Sequence, residues 1–249
     1  MKENYKEAFE KTKKAGEIAA GALDEVAKII KPGIQTDTID KLCYEYIKGY
    51  GAYSAPLFYR GFPKSCCTST NHIVCHGIPS NKILKEGDIV NVDVTALKDG
   101  WHGDTSRTFE IGEVSIKAKK LVKTTYDAMM KAIKIVKEDI HLGDIGATIQ
   151  HHVEAEGFSV VQDFCGHGIG KHFHEEPNVL HYGKKGTGEK IKAGMIFTIE
   201  PMINFGKYET KTLNDGWTAV TKDKSLSAQF EHTIGVTKDG YEIFTLSKI

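Results

Sequence analysis

The chain has 249 residues, enough for one large domain or two smaller halves at roughly 150 residues per domain. Its 40% hydrophobic and 27% charged residues exclude a disordered, collagen-like or coiled-coil chain. Lys+Arg and Asp+Glu both total 33, so no excess of basic charge exists to neutralise a nucleic-acid backbone or an anionic membrane.

Residues 1–14 alternate charges with Tyr5 and Phe9 and lack the apolar stretch of a secretory leader, so a cytoplasmic location is expected. No window approaches the roughly 18 apolar residues of a membrane span. Phe9, Ala15, Ile18, Ala19, Ala22, Val26 and Ile29 recur at helical spacing, predicting an amphipathic helix over 6–30 closed by Lys31-Pro32-Gly33. Asp37 or Thr38 is the expected cap of a second helix running to about residue 50. A β-branched, alternating strand is predicted at 88–97, a hairpin turn at Asp99-Gly100 and its partner strand at 101–111. Helices follow at 115–138 and 143–156, then strands at 195–204, 217–221 and 227–236. Five scattered cysteines without CxxC spacing are expected to be reduced thiols.

An internal repeat organises these elements. Residues 27–40 resemble 133–146 at an offset of 106, and 84–93 resemble 191–200 at an offset of 107, with Asp93 opposite Glu200. His-Gly-Ile recurs at His76 and His167. Helix, His-Gly-Ile, strand ending in an acid is thus used twice, which predicts an α+β fold: one domain over 1–249 built of two similar halves, about 1–112 and 113–249. A chance match is the alternative at this point.

The hairpin carries the first chemistry. With Asp99-Gly100 as the loop, Thr95 faces Asp104 and Asp93 faces Ser106, making the two aspartates diagonal neighbours on one face, roughly 7–8 Å apart at Cα. Two carboxylates so placed either share a cation or sit on a wet edge. Glu200 lies within an apolar run and Glu231 ends a strand-like stretch; burying either unpaired would be costly. Together the four acids read as a ligand set. His167 sits in Cys-Gly-His-Gly-Ile-Gly, a predicted flexible loop that brings an imidazole to a metal. His167, His172 and His174 with Cys165 form an alternative zinc set, which leaves the acids unexplained. Four carboxylates and a histidine suit two divalent ions, Mn²⁺, Fe²⁺ or Co²⁺ with Zn²⁺ also able to bind. Such a pair lowers the pKa of a water and polarises a carbonyl, which points to metal-assisted hydrolysis.

Seven blocks in order carry a family resemblance: Val-Cys-His-Gly-Ile-Pro (74–79), Asp-Ile-Val-Asn-Val-Asp-Val (88–94), His-Gly-Asp-Thr-Ser (102–106), Cys-Gly-His-Gly-Ile-Gly (165–170), Phe-His-Glu-Glu-Pro (173–177), Ile-Glu-Pro-Met (199–202) and Ser-Ala-Gln-Phe-Glu-His-Thr (227–233). The chain resembles the type I methionine aminopeptidases of the bacterial kind over essentially its whole length. The resemblance implies the pita-bread fold, a curved antiparallel sheet covered by helices. It implies a dinuclear site in which Asp93 holds one ion, His167 and Glu200 the other, and Asp104 and Glu231 bridge, with a metal-activated water as nucleophile. Glu200 would assist proton transfer, and His76 and His174 would contact the scissile amide and stabilise the intermediate. The free α-amine would sit near Asp93.

The same resemblance places the methionine side chain among Tyr59, Phe62, Cys67, His76, Phe173 and Trp217, beside His174, with a small uncharged residue following. A polarisable, aromatic slot fits a thioether, and Cys67 is expected there as a neutral thiol. Pro56 stands where many relatives carry Cys, Arg60 where His or Asn is expected, and Phe62 where Tyr is common; these changes touch the pocket and leave the ligands intact. The implied substrate is the N-terminal initiator methionine of nascent polypeptides. Ribosome contact would use the domain's own surface, for which the lysines at 117, 119, 120 and 123 are one stretch, and a monomer is expected. The rival readings are an aminopeptidase P or prolidase, whose kind adds a large N-terminal domain, a type II enzyme with its extension and long insertion, and a binding protein that has lost catalysis.

Overall fold

Four helices and fifteen short strands make up residues 5–249, the part described by the computed structural model. Residues 1–4, which open the stretch read above for a leader, lie outside the described residues. Helix α1 (Lys6–Ile29) buries Ile18, Ala19, Ala22 and Val26 along one face and stops where Ile30 turns extended ahead of Lys31-Pro32, as a following proline requires. Helix α2 (Thr36–Gly49) starts before the expected cap: Gln35 is the capping residue and makes no side-chain bond. Thr36 instead exchanges hydrogen bonds with Ser80, donating to its carbonyl at 3.0 Å and accepting from its N–H at 2.9 Å.

The first half continues with β1 (Tyr53–Ser54), β2 (Cys67–Thr70), β3 (Ile73–Cys75), β4 (Ile89–Lys98) and β5 (Trp101–Glu110). The second half opens with α3 (Ile116–Lys134), capped by Ser115, whose hydroxyl accepts from the Ala118 N–H at 3.2 Å, and with α4 (Leu142–Ala155). Helix α3 ends four residues short of the predicted boundary. Along it Lys120 pairs with Glu156 and Lys123 with Asp127, so much of the lysine stretch is a self-paired helix face. Strands β6 (Ser159–Val160), β7 (Gly166–Gly168), β8 (Glu175–Val179), β9 (Ile196–Ile199), β10 (Met202–Asn204), β11 (Thr210–Thr212), β12 (Ala219–Thr221), β13 (Ser227–Gln229), β14 (Glu231–Val236) and β15 (Tyr241–Ile243) complete it.

The repeat is visible in space. Helices α2 and α4 are both 14 residues long and start 106 residues apart. The main sheet, nine-stranded among the described residues, runs β1-β4-β5-β14-β9-β7-β8, with β2 also pairing β4 and β15 also pairing β14, so the order reads outward in the same way from the β5–β14 junction. That junction pairs Glu231 with Ser106 and His232 with Thr105. Each half has its own core: Ile39, Cys43 and Ile47 of α2 cluster with Val92 of β4 and the apolar face of α1, and Ile145 and Ile149 of α4 with Phe197, Ile234 and the apolar face of α3. Full burial of one such side chain contributes about 1.5–3 kcal/mol.

Two predicted strands are each broken. The stretch 195–204 is β9 in the main sheet and β10 in a separate three-stranded sheet, because Pro201 between them has no N–H for a ladder. The stretch 227–236 divides likewise at Phe230 into β13 and β14. The strand predicted from 217 starts at Ala219.

Candidate metal centre

The β4–β5 hairpin has the register its turn predicts: Lys98 pairs with Trp101, Thr95 with Asp104 and Asp93 with Ser106. Cys67 flanks Asp93 on β2, and Glu231 lies across Ser106 on β14. One row of the sheet therefore reads Cys67, Asp93, Ser106, Glu231, with Asp104 two residues from Ser106 on the same face. Glu200 follows β9 and His167 is the middle residue of β7, next to it.

The side chains converge. Ligand atoms of Asp104, His167 and Glu231 lie within 4.8 Å of one another. His167 Nε2 is 3.5 Å from Glu200 Oε1 and 3.8 Å from Asp104 Oδ2, and burial, with the Asp93 charge, raises the proton affinity of Asp104. His167 is held in a strand rather than the expected flexible loop. Its glycines answer crowding: a Cβ on Gly166 would lie 2.4 Å from the Thr198 carbonyl oxygen, and one on Gly168 would lie 2.1 Å from that of Glu176.

The electrostatics call for cations. Burial pushes the Asp93 carboxyl up to about 7 and that of Glu200 up to about 8. Burial, with the Asp93 and Asp104 charges nearby, raises Asp104 and Glu231 well above the carboxylate range. Glu231 Oε1 is buried with no hydrogen-bond donor, which is costly unless a ligand supplies the missing charge. Burial also holds His167 uncharged, down to about 4. Its Nδ1 lies 3.0 Å from the Gly168 carbonyl, which only accepts, so the proton is on Nδ1 and the Nε2 lone pair faces the acids. Orphaned acid oxygen, like-charged carboxyls and an aimed imidazole lone pair together fit divalent metal ions.

Thr95, already placed opposite Asp104, and three polar residues that the sequence did not single out orient this set. The Thr95 hydroxyl donates to Asp104 Oδ1 at 2.7 Å. Thr198 donates to Glu200 Oε1 at 2.8 Å and accepts from the His167 N–H at 3.0 Å. The Gln229 amide donates to Glu200 Oε2 at 3.3 Å, and buried His181 accepts the Glu200 backbone N–H at 3.1 Å. Thr95 and Thr198 each lie two residues from Asp93 or Glu200, a period-two signal that sequence carries.

A cavity of about 430 Å³ opens on this centre. Its lining includes all five candidate ligands and every expected pocket residue: Tyr59, Phe62, Cys67, His76, Phe173, His174 and Trp217. Phe62 and Trp217 meet edge-on at 5.2 Å, and Tyr59 lies 4.9 Å from Phe173. Burial keeps the Cys67 thiol protonated. His76 stands at φ 55, a strained conformation typical of functional sites, and burial lowers its proton affinity. His174 packs on His167 with ring centroids 4.3 Å apart, and its Nδ1 is 3.0 Å from the Tyr59 hydroxyl. His172 does not line the cavity and the Cys165 thiol faces Asn178, so the alternative zinc set is not assembled. A larger cavity of about 820 Å³ lies behind β5 and β14, and none of the five ligands lines it.

A family model described as metallopeptidase family M24 matches residues 10–238. The methionine aminopeptidase of Rickettsia prowazekii is 57% identical over 240 residues, 96% of this chain and 93% of its own. That of Escherichia coli strain K12 is 54% identical over 244 residues, 97% of this chain and 92% of its own. The crystal structure of the Rickettsia prowazekii methionine aminopeptidase superposes with a TM-score of 0.96 at 55% identity, over 99% of this chain and 100% of that one. The prolidase from Pyrococcus horikoshii OT3 shares the fold at a TM-score of 0.77 and 23% identity, over 98% of this chain and 63% of that one.

Proposed function

The chain belongs to metallopeptidase family M24 and, within it, to the bacterial methionine aminopeptidases, and on that premise we propose that it hydrolyses the first peptide bond of chains beginning with an unblocked methionine. The observation that carries this is the junction of two environments in one cavity: five candidate ligands at its base, four of them buried, and an aromatic, thiol-bearing wall beside them. The substrate is the initiator methionine of nascent polypeptides in the cytoplasm, with a small uncharged residue second. One chain supplies both halves of the site, so a monomer suffices, and any ribosome contact falls outside the cavity.

Asp93 would hold one divalent ion, His167 and Glu200 a second, and Asp104 and Glu231 both. When bound, two ions of the Mn²⁺, Fe²⁺, Co²⁺ or Zn²⁺ class would supply a water of lowered pKa and an electrophile for the scissile carbonyl. Glu200 takes the proton from the attacking water and returns it to the leaving amine. His174, with its Nδ1 occupied by the Tyr59 hydroxyl, presents Nε2–H to the carbonyl oxygen. His76 reaches the scissile amide from the opposite wall. Asp93, at the Cys67 side of the row, receives the α-amine, which selects for a free N-terminus. The slot formed by Tyr59, Phe62, Cys67, Phe173 and Trp217 takes the thioether.

The test is methionine release by metal-stripped protein from Met-Ala-Ser and Met-Leu-Ser peptides as each ion is restored, beside Glu200→Gln. Release from Met-Ala-Ser that needs metal and vanishes in Glu200→Gln is expected. No release with any ion would overturn the reading.

A further inference from the structure

The base of the catalytic cavity is acidic and its walls aromatic, yet its rim carries one fixed cation. Arg60 is the single Lys or Arg among the described residues lining it. It follows Tyr59 in a short 3₁₀ turn at φ 46 and ψ 31, a left-handed conformation that a bulky side chain adopts only where its surroundings hold it. The turn sets the guanidinium over the Tyr59 ring, with Cζ 5.3 Å from the centroid, and leaves Arg60 exposed. Among the described residues no carboxylate lies within ion-pair distance of it. The other charged rim residue, Asp163, accepts a hydrogen bond from the Thr210 hydroxyl at 2.6 Å. The rim is therefore positive on the Tyr59 side and negative on the Asp163 side.

The same Tyr59 ring joins Arg60 to the reacting centre, because its hydroxyl is 3.0 Å from His174 Nδ1. With the scissile amide beside His174, a departing chain that advances roughly 3.3–3.6 Å per residue brings its third side chain across the span that the ring bridges. We propose that Arg60 reads the third residue of the substrate and confers a preference for a carboxylate there, an inference that rests on the aminopeptidase reading above. The contact is the same before and during bond cleavage, so it acts on KM and leaves kcat alone. An exposed ion pair gives roughly a two- to five-fold effect.

The test uses the manganese-loaded enzyme and three amidated peptides, Met-Ala-Glu-Gly, Met-Ala-Gln-Gly and Met-Ala-Lys-Gly, so that the only anion is the side chain under test. The expected kcat/KM order is Glu, Gln, Lys, carried by KM and compressed at about 1 M salt, where the screening length is about 3 Å. Arg60→Lys keeps the order, Arg60→Gln lowers the Glu-to-Gln ratio by that two- to five-fold factor, and Arg60→Glu reverses it. An unchanged ratio in Arg60→Gln, or three peptides cleaved alike by the unaltered enzyme, overturns the inference and leaves the aminopeptidase reading standing. No cleavage even of the Gln peptide with any ion overturns that reading and this inference with it.

Discussion

His181 accepts the backbone N–H of Glu200 through Nε2 at 3.1 Å, at the point where the chain leaves β9 for Pro201 and the sheet ladder stops. The imidazole thus replaces a strand partner for the residue that carries the proposed proton transfer. Replacing it with Leu leaves a buried N–H unpaired, which costs about 1–3 kcal/mol, and loosens the carboxylate above it. His181→Leu should lower the urea midpoint and slow turnover about ten-fold. His181→Gln, whose carboxamide oxygen also accepts, should recover most of both. Amide hydrogen exchange at Glu200 reads the bond directly: protection unchanged in His181→Leu would refute the role.

Glu231 has a buried oxygen with no donor and a carboxyl raised by burial and by its neighbours. In the metal-stripped protein Glu231→Gln should therefore raise the melting temperature, by roughly 2–4 °C per kcal/mol for a chain of this size. Added Mn²⁺ should stabilise the unaltered protein and have little effect on the variant. Calorimetric scans with and without the ion measure both shifts; equal metal stabilisation of the two proteins would remove Glu231 from the ligand set.

Cys67 is buried at the edge of the cavity as a protonated thiol. Cys67→Leu adds methylene-scale bulk where the thioether is placed and should reduce kcat/KM on Met-Ala peptides roughly ten- to a hundred-fold. Cys67→Ser should change it little. Circular dichroism that matches the unaltered protein, beside an unaltered rate in Cys67→Leu, would move the side-chain slot elsewhere.

His152 gives a pH dependence remote from the metal centre. It joins α4 to α3 through a 2.8 Å contact between its Nδ1 and Lys131 Nζ. Burial, with the Lys131 charge, lowers its proton affinity. The folded pKa lies below the ordinary value, so the unfolded chain takes up a proton first as pH falls. The contribution is complete above about pH 6.5 and is lost progressively below it, as pH falls through the lower folded value. At a half-exposed position it amounts to a few tenths of a kcal/mol. Urea unfolding at neutral pH and near pH 5.5 should show a smaller acid loss in His152→Gln; an identical loss assigns the slope to other groups.

The hairpin acids were legible because a two-residue Asp-Gly turn leaves one register, and a period of two then decides which side chains share a face. Glu200 and Glu231 were legible as acids embedded in apolar stretches. His167 lies on a strand where its glycines suggest a flexible loop: glycines in a sequence look alike whether they grant freedom or admit a neighbouring backbone. Local pattern could not reveal that Pro201 sends the chain into a second sheet, or that His181, nineteen residues before Glu200, returns to cover the exposed N–H. The aromatic wall came from family resemblance alone, since no spacing brings Tyr59, Phe173 and Trp217 together.

The pairing of Glu231 with Ser106 and of His232 with Thr105 is the seam between the two halves, and the proposed donors are divided across it, Asp93 and Asp104 on one side and His167, Glu200 and Glu231 on the other. Neither half owns a complete site. On the proposed assignment metal affinity is therefore a property of both halves together, and an ion bound there would tie them across the seam.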